Sequence, residues 1–356
     1  MRAVLSFACF TAVAAVAAMA CVSGGHGPTG SPNLDGGVYV GDGNLAGLQP
    51  ETLACTGDTT ACVSGTVTSK SLPAAQRFVA SLFPMFPIQG VSPVAEQEVA
   101  VDGTWAFSGV APGAHYYVQI VGVYGTTSIP AMVGPVAVPT SGAPIAVTVE
   151  PVELDVVEGS TAGGPLELQS ALAYVFDPAT GAPSTGGDTV SMLVGGTAVP
   201  LAWTQIVTGV YGYYAALPAG TAAQATYTLT TSVGGAAATS WSLTATAPAF
   251  TPSITAPAAG ATVPAGQDLA VAWTAQPGAD MEVPNVYTLP SGGSWTVENA
   301  SQAPLASSVT QATIPGADVL AGPLLVDVSF LVGNCPATAD GCVIAEAIAS
   351  NQLTAQ

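Results

Sequence analysis

Two histidines, six cysteines and a few paired carboxylates are the residues of this 356-residue chain with the clearest potential for chemistry. His26 stands in a Gly/Pro/Ser stretch, so any triad or metal site would rest on His115 alone, which begins a strand after Pro112-Gly113 and reads as structural. Glycoside hydrolysis needs two carboxyls facing each other across the scissile bond. Glu96/Glu98 and Glu153/Asp155 instead lie two apart on single strands, and each pair reads as the solvated face of a sandwich. No Gly-x-Ser-x-Gly elbow is present, and Gly-rich pieces such as Gly292-Gly293 lack the lysine of a phosphate loop. Asp35, Asp42 and Asp58 stand among glycines without the spacing of an EF-hand. An isopeptide bond would need Lys70 as donor, and no Asn lies between Asn44 and Asn285 to accept it.

Cysteine spacing points to cross-links. Cys55 with Cys62 and Cys335 with Cys342 enclose loops of the same length, both rich in Gly, Thr, Ala and Asp. Zinc ligands sit two to four residues apart with histidine partners that are missing here, so two local disulfides in an oxidising compartment are expected and no metal. Once paired, these sulfurs cannot serve as nucleophiles. Among the aromatics, Trp105, Trp203, Trp241 and Trp273 lie in alternating strands and are expected in the core. Trp295 follows the turn Ser291–Ser294 and is the one candidate ligand-binding indole, able to stack on a sugar ring.

Charge narrows the partners. Lys70 and Arg77 are the only basic residues after Arg2, against 22 acids and a formal net charge of −19. Nucleic-acid affinity comes from Lys and Arg neutralising phosphates, so nucleic acid is excluded as a partner, and electrostatic capture by anionic lipid is excluded with it. High Gly (41) and Pro (29), with many Thr, Val and Ala, favour short strands and turns over helices, so the chain is expected to be all-β.

The N-terminus reads as an export signal. Met1-Arg2 precedes an apolar run from Ala3 to Ala17, then the small residues Ala18-Met19-Ala20 and Cys21. Residues 1–20 are therefore expected to be removed, and 21–60 to form a Gly/Ser/Pro-rich tether. Cleavage before Cys21 resembles the lipobox of bacterial lipoproteins, although Ala18 stands where Leu or Val is usual. The resemblance implies a diacylglycerol on Cys21 and attachment to the membrane through it. With Val22 following the cysteine, it also implies the outer membrane or cell surface. A secreted or periplasmic protein is the alternative.

Three segments follow, at 61–149, 150–247 and 248–356. In the first, Val63, Gly65 and Val67 alternate with Cys62, Ser64 and Thr66, while Asp102-Gly103 signals a hairpin with Trp105 and Phe107 on one face. The run from Asp102 to Val118, with Gly65-Thr66-Val67, resembles carboxypeptidase-regulatory-like (prealbumin-like) β-sandwiches, which implies a stalk, spacer or adhesive module. In the second, Tyr214 to Gly220 repeats the spacing of Phe107 to Gly113, as an internal duplication or a general sandwich turn would. The third opens with Pro252–Thr274, which resembles immunoglobulin-like and fibronectin-III-like modules and implies Leu269, Val271 and Trp273 in its core, with strands near 324–331 and 343–348. The expectation is a non-enzymatic, lipid-anchored exported protein, needing no cofactor, whose sandwiches serve adhesion, envelope structure or protein binding. A carbohydrate-binding surface lipoprotein is the alternative.

Overall fold

The computed structural model describes residues 61–356, except 88–90, 113–114, 139–143, 163–168, 208–209, 218–225, 234–237, 247–249, 289–295, 298–304 and 339. Among the described residues there is no α-helix, and the chain is all-β. Cys21, Cys55 and Trp295 lie outside them.

Seven strands build the first sandwich: β1 (Cys62–Ser69), β2 (Arg77–Phe83), β3 (Ala95–Glu98), β4 (Thr104–Ser108), β5 (His115–Tyr124), β6 (Thr127–Ala137) and β7 (Ile145–Val149). One sheet runs β4-β1-β7, with β1 and β7 parallel, and the other runs β3-β2-β5-β6. Their inner faces enclose Val63, Val67, Trp105, Phe107, Val118 and Ile120. Asp102-Gly103 does form a turn, but the flanking strands do not pair as a hairpin. β3 and β4 belong to opposite sheets, so the turn carries the chain from one layer to the other. Gly65 explains the Gly-x-Val opening: a Cβ there would lie 2.3 Å from the Trp105 ring and 2.2 Å from the Ile145 carbonyl oxygen.

The second segment holds β8 (Val152–Ala162), β9 (Gln169–Val175), β10 (Thr189–Val194), β11 (Thr197–Val207), β12 (Val210–Ala216), β13 (Thr226–Ser232) and β14 (Thr239–Thr244). β11 changes partner midway. Thr197–Leu201 pairs with β10, whereas Ala202–Val207 pairs with β12. One strand thus turns the corner between two layers, and the layers close on Leu154, Val156, Met192, Tyr213 and Leu229. Tyr214, matched to Phe107 by spacing, is only half-buried, and the buried ring is Tyr213. The repeated spacing does not repeat the orientation.

The third comprises β15 (Ile254–Ala256), β16 (Thr262–Val263), β17 (Leu269–Trp273), β18 (Met281–Thr288), β19 (Thr296–Val297), β20 (Leu305–Ala306), β21 (Gln311–Ile314), β22 (Gly322–Asn334) and β23 (Gly341–Ala355). Leu269, Val271 and Trp273 alternate inward and meet Val326, Val328 and Phe330 of β22. β23 also pairs in parallel with β8, from Gly341↔Leu154 to Ala349↔Ala162, so one sheet runs through the second and third segments.

All three segments meet in a further cluster, with Phe83, Phe86 and Tyr117 from the first, Val157 from the second and Leu331, Cys335, Cys342 and Ile344 from the third. Gly333 lets Phe86 in, since a Cβ there would sit 2.2 Å from its ring. Gly134 and Cys335 exchange backbone hydrogen bonds at 2.9 and 2.7 Å. Overpacking a filled core costs about 1–3 kcal/mol. Gly65→Ala is therefore expected to destabilise the first sandwich by that amount, read as a lower urea midpoint; an unchanged midpoint would refute the packing argument.

Candidate functional site

Carboxylates dominate the polar interior, and the sequence reading misplaced two of them. Glu153 and Asp155 are not on a wet face: they are 7% and 4% exposed. β8 is an inner strand between β9 and β23. Its Val152, Leu154 and Val156 face the second core, and the opposite face, with Glu153, Asp155 and Val157, is covered where the segments meet. Asp155 Oδ1 accepts the Cys342 N–H at 3.1 Å. Burial raises its pKa to about 7, and burial together with Asp155 and Asp340 raises that of Glu153 well above the usual range.

A second polar group lies on the β18-β22-β23 sheet. Asp327 accepts from Asn285 Nδ2 at 3.0 Å and hydrogen-bonds Tyr287. Burial lifts its pKa to about 7, and lifts that of Glu346, aided by the Asp327 charge, to about 8. Between segments, the Tyr117 hydroxyl donates to the Gly333 carbonyl at 2.6 Å and hydrogen-bonds Asp280, whose pKa burial raises to about 6. These groups have the raised pKa values found in active sites; Asp155, Asp327 and Glu346 are buried, whereas Asp280 is half-buried.

The remaining candidates sit elsewhere. His115 is exposed at the start of β5 and acts electrostatically on Asp280. Glu96 is a half-buried residue of edge strand β3 that accepts from Ser81 at 3.0 Å, and Glu98 is half-buried on the same strand. Lys70 pairs with Glu150 at 2.6 Å. Cys335 and Cys342 are joined by a disulfide, and Cys62 is disulfide-bonded. Trp105 and Trp273 are core residues at 2% and 3% exposure. Trp203 and Trp241 are not fully in the core: both are half-buried at the margin of the second one. The reason for Trp203 is its place past the corner in β11, where it stacks on Tyr211 (centroids 5.7 Å apart, planes 13° apart) and tilts against Tyr213. Tyr211 is 46% exposed, so its ring edges the surface. Nearby, Ser184 hydrogen-bonds the Tyr213 hydroxyl at 2.8 Å and the Asp188 carboxylate.

The outer face of the second sandwich is the surface that motif reading passed over, because it carries no chemical motif. β10, β11, β13 and β14 contain no Asp, Glu, Lys, Arg or His. Outward hydroxyls pair across β13 and β14 in three successive rungs: Thr226 with Thr244, Thr228 with Ser242, and Thr230 with Ser240, at 3.1–3.2 Å. Ser191 continues the Thr230 rung on β10, and Leu193, 45% exposed, continues the Thr228 rung. Rungs on one face of a strand repeat about every 6.8 Å, so the face is a neutral, hydroxyl-studded strip.

No protein-family model and no curated protein matches this chain. Solved structures similar to it include the FN1–FN3 domains of chicken CNTN1, at 10% identity over 87% of this chain and 98% of that one, with a TM-score of 0.24. A tetra-tandem repeat from the extending region of a large adhesion protein is similar at 14% identity over 82% and 74% (TM-score 0.17). The glucan-utilisation protein SGBP-B of Bacteroides ovatus is similar at 12% identity over 87% and 69% (TM-score 0.21). Scores this low bear on neither ligand nor activity.

Asp155, Asp280, Asp327 and Glu346 all titrate higher folded than in an open chain, where carboxyls lie near pH 4. Their contribution to stability is complete below the open-chain values and is lost as pH rises through the folded ones. Unfolding free energy is thus expected to fall, by on the order of several kcal/mol, between about pH 4 and pH 8, and Glu346→Gln is expected to flatten the slope. Urea midpoints across that range check this; a midpoint that climbs with pH would contradict it.

Proposed function

We propose that this chain is a non-enzymatic exported protein, held at the outer membrane or cell surface by lipid on Cys21, that presents its β-sandwiches for adhesive or structural contact. The observation that carries the reading is the neutral outer strip of the second sandwich. In a chain of net charge −19, most surfaces repel other acidic envelope components, whereas β10, β11, β13 and β14 present hydroxyls, Leu193 and small side chains with no charge to desolvate. Burying such a face costs less than burying ions. The buried acids fit the same reading, since Asp340, Asp155 and Asp327 hydrogen-bond groups of other strands and segments.

Carbohydrate binding is the second reading. It is favoured by the exposed edge of Tyr211 stacked on Trp203, a ring held ready for a sugar. Trp295, singled out from the sequence, belongs to this reading as a further stacking residue.

Two experiments test these readings. Cys21→Ser is expected to move the protein from the membrane to the soluble fraction and to abolish incorporation of labelled fatty acid; unchanged membrane retention would refute the anchor. The soluble Cys21→Ser protein is then applied to isolated envelopes and to insoluble polysaccharides. Retention on envelopes that falls at least ~10-fold (about 1.4 kcal/mol) with Leu193→Lys and Thr228→Lys supports the contact face. Retention on a glycan, lost with Tyr211→Ala or Trp295→Ala, supports the second reading, and retention unaffected by either set would reject both assignments.

A further inference from the structure

The chain leaves the first sandwich at Glu150 and enters β8 beside the start of β23, and four carboxyls are buried at that corner. Glu150, Glu153, Asp155 and Asp340 are 5%, 7%, 4% and 5% exposed. Asp340 binds two elements at once: its Oδ2 accepts the Glu150 N–H at 3.2 Å, and its backbone carbonyl accepts the Leu154 N–H at 3.2 Å. Asp155 holds the Cys342 N–H from the other side. Facing this group are Lys70 after β1, Tyr124 of β5 and Tyr174 of β9, the cross-strand neighbour of Glu153. Lys70 is the one cation among them, and it engages Glu150 alone with a side chain that is 64% exposed.

Four buried carboxyls facing one exposed ammonium cannot all be ionised at modest cost. Three remedies exist: a metal ion, further cations or protons. Among the described residues no three His, Cys, Asp or Glu side chains are placed to hold a metal ion, and Lys70 is the sole cation facing the corner. Protons remain. Asp340 Oδ1 is buried with no donor to it, so nothing at that oxygen stabilises a negative charge, and protonation is favoured there. The mutual repulsion of Asp340 with Glu150 and Asp155 pushes in the same direction, on top of burial.

We infer that the Glu153–Asp155–Asp340 corner, packed beside Glu150, is a proton-operated joint: protonated, it locks the first sandwich to the start of the β8–β23 pairing, and ionised, it loosens that sandwich and the first rungs of the pairing while leaving the rest of the sheet intact. The two states differ in the charge confined at the corner, which is relieved only when water enters between Glu150 and Asp340. β10 and β13, whose Met192 and Leu229 pair in the second core, carry no Asp, Glu, Lys, Arg or His to titrate with the corner. A surface protein with such a joint is stiff in acid and hinged near neutrality.

Native-state amide exchange in the intact, oxidised protein with chelator present tests this, with rates corrected for intrinsic exchange. Between about pH 5 and pH 8, protection at the Glu150, Leu154 and Cys342 amides is expected to drop at least ~10-fold more than at Met192 and Leu229. Asp340→Asn is expected to remove most of that excess, as is Asp155→Asn, which serves if the first variant does not fold. An equal drop at all five amides, or an excess that survives in the folded variant, would overturn the joint.

Discussion

The structure depends on the short turn between β22 and β23, closed by the Cys335–Cys342 disulfide. From these few residues the molecule is tied in three directions. Cys335 exchanges backbone hydrogen bonds with Gly134 of the first sandwich. Asp340 receives the Glu150 and Leu154 N–H groups, and Cys342 donates to Asp155 of the second segment. Both sulfurs pack in the cluster that Phe86, Tyr117, Val157 and Ile344 complete. A local disulfide restrains the unfolded turn, so the contacts that join distant parts of the chain radiate from residues already held in place. The parallel β8–β23 pairing extends this order into one sheet across two segments.

Scarcity of basic residues governs the electrostatics. With Lys70 and Arg77 the only lysine and arginine after Arg2, buried acids are satisfied by backbone N–H groups, phenols, amides and protons. Asp327 with Asn285 and Tyr287, Asp280 with Tyr117, and Glu282 with the Trp273 indole at 2.7 Å show the same solution in different places. Acids at these inner positions fix the pairing of distant strands, and they make stability a function of pH. The outer layer of the second sandwich shows the converse, since its strands β10, β11, β13 and β14 carry neither charge sign.

How much was legible in the sequence follows from the range of each interaction. Two-residue periodicity is local, so the all-β character and the inward phase of Val63, Gly65 and Val67, or of Leu269, Val271 and Trp273, could be read directly. Periodicity also separates the two faces of β8, but it cannot say what covers the second face. Glu153 and Asp155 were therefore misread as solvated, because the partner strand β23 lies nearly two hundred residues away. Asp102-Gly103 signalled a turn correctly without revealing that the turn switches sheets. The half-burial of Trp203 follows from the corner in the middle of β11, which no local pattern marks. The hydroxyl ladder was visible as alternating Thr and Ser, yet only the pairing of β13 with β14 aligns its rungs.

The claim that one junction makes three sandwiches a single cooperative body is tested most directly by fluorotryptophan NMR during urea unfolding at about pH 5. Trp105 reports the first sandwich, Trp203 and Trp241 the second, and Trp273 the third. The account predicts that all four native resonances vanish together in one transition. Loss of the Trp105 signal at a lower urea concentration, with the other three still native, would show that the first sandwich folds apart from the rest and would contradict it.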